Sequence, residues 1–176
     1  MYPVIRDVIA RRRQGDRGAA MVEFALILPV VMSLLLGLVT GGALYNKKLA
    51  MTSASREGSR FGATLDGPTV APSLGWASDV QKRTQELASS DLALSNICVS
   101  LVKVGTGNVY SQLGTDCDTE ATPPSNPSTA ATGDCLVKVW VRKPNQKLQA
   151  MFFSVDIDLT TSTVSRYEGT VTSSCV

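Results

Sequence analysis

Glu23 stands immediately before 21 residues without a charge, Phe24 to Leu44. A carboxylate there has two readings. It can sit at a helix end among lipid headgroups, or it can pair with a positive group such as a freed α-amine, because burying either charge alone is costly. A second carboxylate cluster, Asp116, Asp118 and Glu120, could bind a cation such as calcium. Its DxDxE string lacks the glycine and the final glutamate of an EF-hand loop, so a solvated acidic loop is the preferred reading and no metal is expected. The thiols are Cys98, Cys117, Cys135 and Cys175, all beyond the uncharged run. Without a CxxC pair they make a poor zinc site. An even number confined to one side of a membrane span favours disulfides. The chain has no histidine. That closes Ser–His and Cys–His nucleophile systems and zinc sites that need imidazole. No convergent acid–base set replaces them, so neither an enzyme nor a cofactor is expected.

The elements that position these residues follow from charge and hydropathy. Among 176 residues the net charge is +2, too weak a field to argue for nucleic acid. It is unevenly placed: residues 1–18 hold five arginines against two aspartates, and the rest is nearly neutral. The basic head lacks the aromatic and base-reading residues of a nucleic-acid arm. A helix over Phe24–Leu44 spans about 30 Å, the thickness of a bilayer core. Arginines before it predict a cytoplasmic N-terminus and an extracytoplasmic body. A secretory signal peptide is the competing reading, and it fits less well because the run exceeds a normal h-region. Pro29 predicts a kink or local opening of this helix. Ser33, Gly37 and Gly41 form a small-residue ridge, with Gly37 and Gly41 in a GxxxG spacing that lets helix backbones approach.

Past the span, helix is expected to continue from Tyr45 to about Thr64, then a turn-rich loop over Asp66–Gly75. A second, amphipathic helix is expected over Ala77–Ser90, with Val80, Leu87 and Ala88 inward. Ile97–Val104 reads as a strand. Residues 105–134, more than half Gly, Pro, Ser or Thr, read as a long loop. Cys135–Arg142 alternates, placing Val137, Val139 and Val141 on one face. A short helix is expected over Gln146–Phe152, and a last strand from Val155 towards Tyr167. Trp76 and Trp140 read as core or interface residues. Arg56, Glu57 and Arg60 are spaced for helix-surface pairing, and a solvated face and a partner-docking face stay equally open. The fold class is α+β: a long membrane-spanning helix, then an extracytoplasmic domain with a helix and an antiparallel sheet. Four cysteines allow three pairings. The favoured one is Cys117 with Cys135, closing the loop, and Cys98 with Cys175.

The string Arg17-Gly-Ala-Ala-Met-Val-Glu-Phe-Ala-Leu26 resembles the N-terminal signature of type IV pilin-like proteins. More narrowly, RGAAMVEFALILPVV followed by LYNKKLAMTSASREGSRFGA resembles the TadE-like minor pilins of tight-adherence (Flp) pilus systems. The SREGSR stretch (Ser55 to Arg60) and LTTSTVSRYE (Leu159 to Glu168) are part of the likeness, which is strong over residues 17–65, loose over 135–168 and absent over 66–134. The resemblance implies a leader, residues 1–18, cut after Gly18 by a membrane-embedded prepilin peptidase, leaving Ala19 as the new N-terminus. It implies that Glu23 acts in processing or assembly. Residues 19–65 are then the membrane and juxtamembrane helix, and 66–176 the exported domain. The implied partners are the peptidase, other pilins, the pilus assembly platform and membrane lipid.

The function expected is therefore that of a minor pilin, single-pass in the inner (cytoplasmic) membrane and possible to incorporate in a pilus. An uncleaved membrane-anchored adhesin or ligand-binding module is the alternative. An anchored extracytoplasmic enzyme is a third reading, disfavoured by the missing histidines.

Overall fold

The uncharged run and the small-residue stretch after it form one helix, α1 (Val4–Thr64), of 61 residues. The computed structural model of the chain describes residues 4–65, 74–88, 92–106, 109–115, 125–150 and 153–168. Helix α1 passes through Pro29 without ending. A second helix, α2 (Leu74–Ala88), is followed by strands β1 (Ile97–Lys103), β2 (Val109–Leu113), β3 (Cys135–Gln149) and β4 (Ser154–Arg166). The four strands form one sheet in the order β2-β1-β3-β4. The pairs β1–β2 and β1–β3 are antiparallel. Strand β4 returns along β3, with the Tyr167 N–H donating to Cys135 O. The α+β class expected from the sequence is what the chain adopts.

Two units divide the chain. One contains residues 1–43 and 147–155; the other contains 44–146 and 156–176. The core belongs to the second. The register sets Ile97, Val99 and Leu101 opposite Val141, Val139 and Val137. All six side chains are buried, because alternate residues of two central strands face the same way. Helix α2 covers the core with Trp76, Ala77, Val80, Gln81, Thr84 and Ala88, positions three and four apart, as an amphipathic helix requires. Leu87, expected inward, is 40% exposed. The inward stripe is carried instead by Thr84 and Gln81, whose polar groups find partners. Thr84 Oγ1 donates to Val80 O, and Gln81 Nε2 donates to Leu94 O and Ile97 O.

The α1 segment in this unit buries only small side chains after Met51: Ala54, Ser55, Ser59 and Ala63. Gly58 and Gly62 lie between them. A Cβ added at Gly58 would collide with Thr84 Oγ1, and one added at Gly62 would come within 2.9 Å of Val80 and 3.1 Å of Val137. Glycine is required at these two places by close approach. The end of α1 is capped from elsewhere in the chain. Trp76 Nε1 donates to Gly62 O, the Glu168 N–H to Ala63 O and the Tyr167 hydroxyl to Leu65 O. These satisfy carbonyls that a helix terminus leaves without an internal donor.

Two expectations are corrected. Where a short helix was expected over Gln146–Phe152, Gln146 to Gln149 are the end of β3 and β4 begins at Ser154; Met151 and Phe152 lie outside the described residues. Pairing along a long hairpin outweighs the good local helix propensity of this stretch. The long loop of 105–134 contains β2, whose register with β1 is irregular between Leu101 and Val102.

Candidate functional site

The residues singled out by the sequence fall on two stretches of α1. In the first unit, every residue from Gly18 to Leu28 is exposed, including Gly18, Ala19 and Glu23. The apolar side chains that follow are exposed as well, from Val30 and Leu34 to Leu38 and Val39. Apart from Leu44 at its end, which is buried, the span contributes little to the chain's own core, although its composition is that of a membrane-crossing helix. Gly37 and Gly41 are open: a Cβ at either meets nothing within 4 Å. Ser33, one turn earlier, is half-buried. Ridge, carboxylate and the Gly18–Ala19 bond thus lie on one continuous helix, all reachable by a partner.

In the second unit, α1 carries Ser55, Arg56, Glu57, Gly58, Ser59 and Arg60. Arg56, Glu57 and Arg60 are exposed. Arg60 also lines a cleft with Ala63, Thr64, Ser165, Arg166 and Glu168. Arg166 is held across the surface by Asp134 at 3.0 Å. The serines point the other way. Three hydroxyl pairs join α1 to β4: Thr52 with Thr161 at 3.2 Å, Ser55 with Thr163 at 2.9 Å and Ser59 with Ser165 at 2.8 Å. The proton inventory closes. The helix hydroxyls donate to their own carbonyls at Lys48, Thr52 and Arg56, so they accept from the strand hydroxyls. The two segments that carry the pilin-like resemblance outside the span, SREGSR and LTTSTVSRYE, are therefore in direct contact.

The sequence reading missed Gly58 and Gly62. Their spacing is the same GxxxG as that of Gly37 and Gly41, and it was in plain sight in SREGSRFGA.

Cys98 and Cys135 are not free thiols. In the register of β1 with β3, Cys98 faces Trp140 and Cys135 faces Lys103. Five residues of strand, about 16 Å, separate them, far beyond the reach of a disulfide. That removes one of the three pairings. The favoured set and the set of Cys98 with Cys117 and Cys135 with Cys175 remain. Cys117 and Cys175 lie outside the described residues, as do Asp116, Asp118 and Glu120. Among the described residues no cluster of His, Cys, Asp or Glu could hold a metal. Cys98 packs against Trp140, which is buried as expected. Its Nε1 meets no acceptor. Burial pushes the nearby Lys138 ammonium below its ordinary pKa.

The Arg142 guanidinium lies 2.8 Å from Asp158, and the Asn145 N–H donates to the same carboxylate. These hydrogen bonds hold the Asp158 pKa below its usual value. The pair braces the β3–β4 hairpin.

Comparison with known proteins finds one family: residues 18–60 match the family of TadE-like proteins. No curated protein matches the chain, and no solved structure does. The matched segment runs from Gly18 through the whole apolar span to Arg60. The match covers 43 of the 176 residues. The single long apolar helix is compatible with single-pass anchoring in a membrane.

Proposed function

We propose, with the TadE-like match over residues 18–60 as premise, that this chain is a minor pilin that takes part in building a tight-adherence pilus. The observation that carries this reading is where the match begins. It opens on Gly18, the glycine whose distance to Glu23 is that of a prepilin cleavage site.

In this reading the arginine-rich leader holds the Gly18–Ala19 bond at the cytoplasmic face of the inner membrane, where a prepilin peptidase cuts it. Gly18 lies in helix α1, and a protease needs extended backbone. Glycine weakens a helix by about 1 kcal/mol relative to alanine, and it leaves the bond unobstructed. Cleavage gives Ala19 a free α-amine. That amine and the Glu23 carboxylate of a neighbouring subunit then neutralise each other inside an apolar bundle, where either alone would be costly. The ridge of Ser33, Gly37 and Gly41 supplies close packing, which helices in lipid need because hydrophobicity alone does not drive them together. The body, residues 66–176, is extracytoplasmic, and its cysteines form disulfides. Arg56, Glu57 and Arg60 offer a charged face on the emerging helix to the assembly platform or to other pilins.

The test is the N-terminal residue and intact mass of protein recovered from cells. Mature protein should begin at Ala19, and Gly18→Leu should accumulate the uncut form. Normal processing of that variant would overturn the prepilin reading and leave the uncleaved anchored module in its place.

A further inference from the structure

The β3–β4 hairpin ends beside the apolar span. Thr40 Oγ1 lies 3.0 Å from Gln149 O and 2.8 Å from Leu36 O of its own helix. Its single proton serves one of these carbonyls at a time. Thr40 is four residues inside the end of the uncharged run at Leu44, or about 6 Å along the helix. The hairpin end and the span, residues 147–155 and 1–43, form one unit. From Leu148 to Val155 the chain has no charge; Lys147 precedes this stretch and Asp156 follows it. At the turn the Ala150 N–H donates to Phe153 O at 2.9 Å. Phe153 is 59% exposed and Val155 47%.

We propose that the tip of this hairpin is a second lipid-binding site, with Phe153 and Val155 among the acyl chains of the leaflet next to the exported domain. The proposal rests on the reading of α1 as a membrane span. Three observations favour lipid as the occupant. The tip meets the helix at a depth where the surroundings of the span are hydrocarbon. Its described large apolar side chains Phe153 and Val155 are exposed. Two of its described backbone groups can be met, since the Ala150 N–H has an internal acceptor and Gln149 O lies within reach of the Thr40 hydroxyl, as polar backbone needs at that depth. Lys147 is exposed and can reach back to headgroup phosphates while its stem stays in the apolar zone. Just beyond the run, Tyr45, Lys47 and Lys48 have the types found at a membrane interface. The hairpin also leaves the ridge free, since Gly37 and Gly41 remain open. Lipid contact and helix packing therefore use different parts of the span.

The full-length chain is reconstituted in vesicles holding one copy each on average, so that no neighbouring chain competes with lipid. Tryptophan emission is measured in lipids brominated on the acyl chains. The native Trp76 and Trp140, both buried in the other unit, are subtracted using the unmodified chain. Phe153→Trp and Leu38→Trp are compared, and Val155→Trp is read in the same way as Phe153→Trp. The expected result is the same fractional loss of emission for the hairpin reporters as for Leu38→Trp. If Leu38→Trp is quenched and both hairpin reporters are not, the hairpin lies outside the lipid and this inference fails while the span stands. If Leu38→Trp is not quenched, the span reading fails and this inference goes with it.

Discussion

Helix α1 carries two glycine pairs at the same spacing, and they live in opposite surroundings. Gly58 and Gly62 are walled by Thr84, Val80, Val137 and Trp76. Gly37 and Gly41 face open space. The first pair is spent on folding; the second is left for whatever meets the helix from outside. The lesson is that GxxxG reports a capacity for close approach and not who approaches. In the second unit the approaching group is the chain's own α2 and sheet, driven there by burial of the valine and isoleucine face. In the span no such driving force exists within the chain, because its surroundings in a membrane are as apolar as its side chains.

The sharpest way to break this contrast is to enlarge a glycine in each pair. Gly58→Val should cost about 3 kcal/mol or more, because the new side chain meets Thr84, which is fully buried. A melting curve of the purified protein in detergent should fall steeply, or folded protein should fail to accumulate. Gly37→Leu should leave the melting temperature of the second unit where it was. It should weaken association between cleaved subunits roughly tenfold, equivalent to about 1.4 kcal/mol, read by cross-linking in membranes with pilus counts beside it. If Gly37→Leu leaves both at wild-type levels, the ridge is a lipid-facing accident. If Gly58→Val melts normally, the contrast between the two pairs collapses.

Smaller effects come from the contacts between α1 and β4. Ser55→Ala and Ser59→Ala each remove one acceptor from the hydroxyl ladder. Each should cost about 1 kcal/mol, measured by urea denaturation. The partner variants Thr163→Val and Ser165→Ala should add little once the serine is gone, as a double-mutant cycle would show. The smallest effect belongs to Asp158. Its folded-state pKa lies below its unfolded value of about 3.8. The linked stability is therefore full above that value and is lost as pH falls through the folded pKa. Asp158→Asn should abolish this acid-dependent component and change little at neutral pH, because the pair is exposed to solvent. Melting temperatures compared across that acid range would show it.

Much of this architecture was legible in the residues. The end of α1 at Thr64, the buried faces of Ile97–Lys103 and Cys135–Arg142 and the start of β4 follow from period and composition. So does the exposed span. What was not legible depends on contacts distant in sequence. Gln146–Phe152 has helix-forming residues and no turn signal. Its first four residues, Gln146 to Gln149, are strand because β4 lies beside β3. Val109–Leu113 is strand because β1 offers it an edge, although it lies in a stretch rich in glycine, proline and hydroxyl residues. The pairing of the SREGSR serines with β4 likewise joins residues more than 100 apart. The contact of Gln149 with Thr40 joins residues 109 apart, and no local pattern announces it.

The hydroxyl ladder has a mechanical side. Thr52, Ser55 and Ser59 ascend α1 while Thr161, Thr163 and Ser165 ascend β4, so helix and strand run in the same direction. A pull along the axis of α1, such as a tethered subunit transmits, loads the three pairs simultaneously in shear rather than one after another as in peeling. The caps on Gly62, Ala63 and Leu65 lie at the far end of the same seam and share that load. Short polar contacts, each weak against water, are thereby arranged to yield together. Strand β4 can thus stay clasped to α1 under tension.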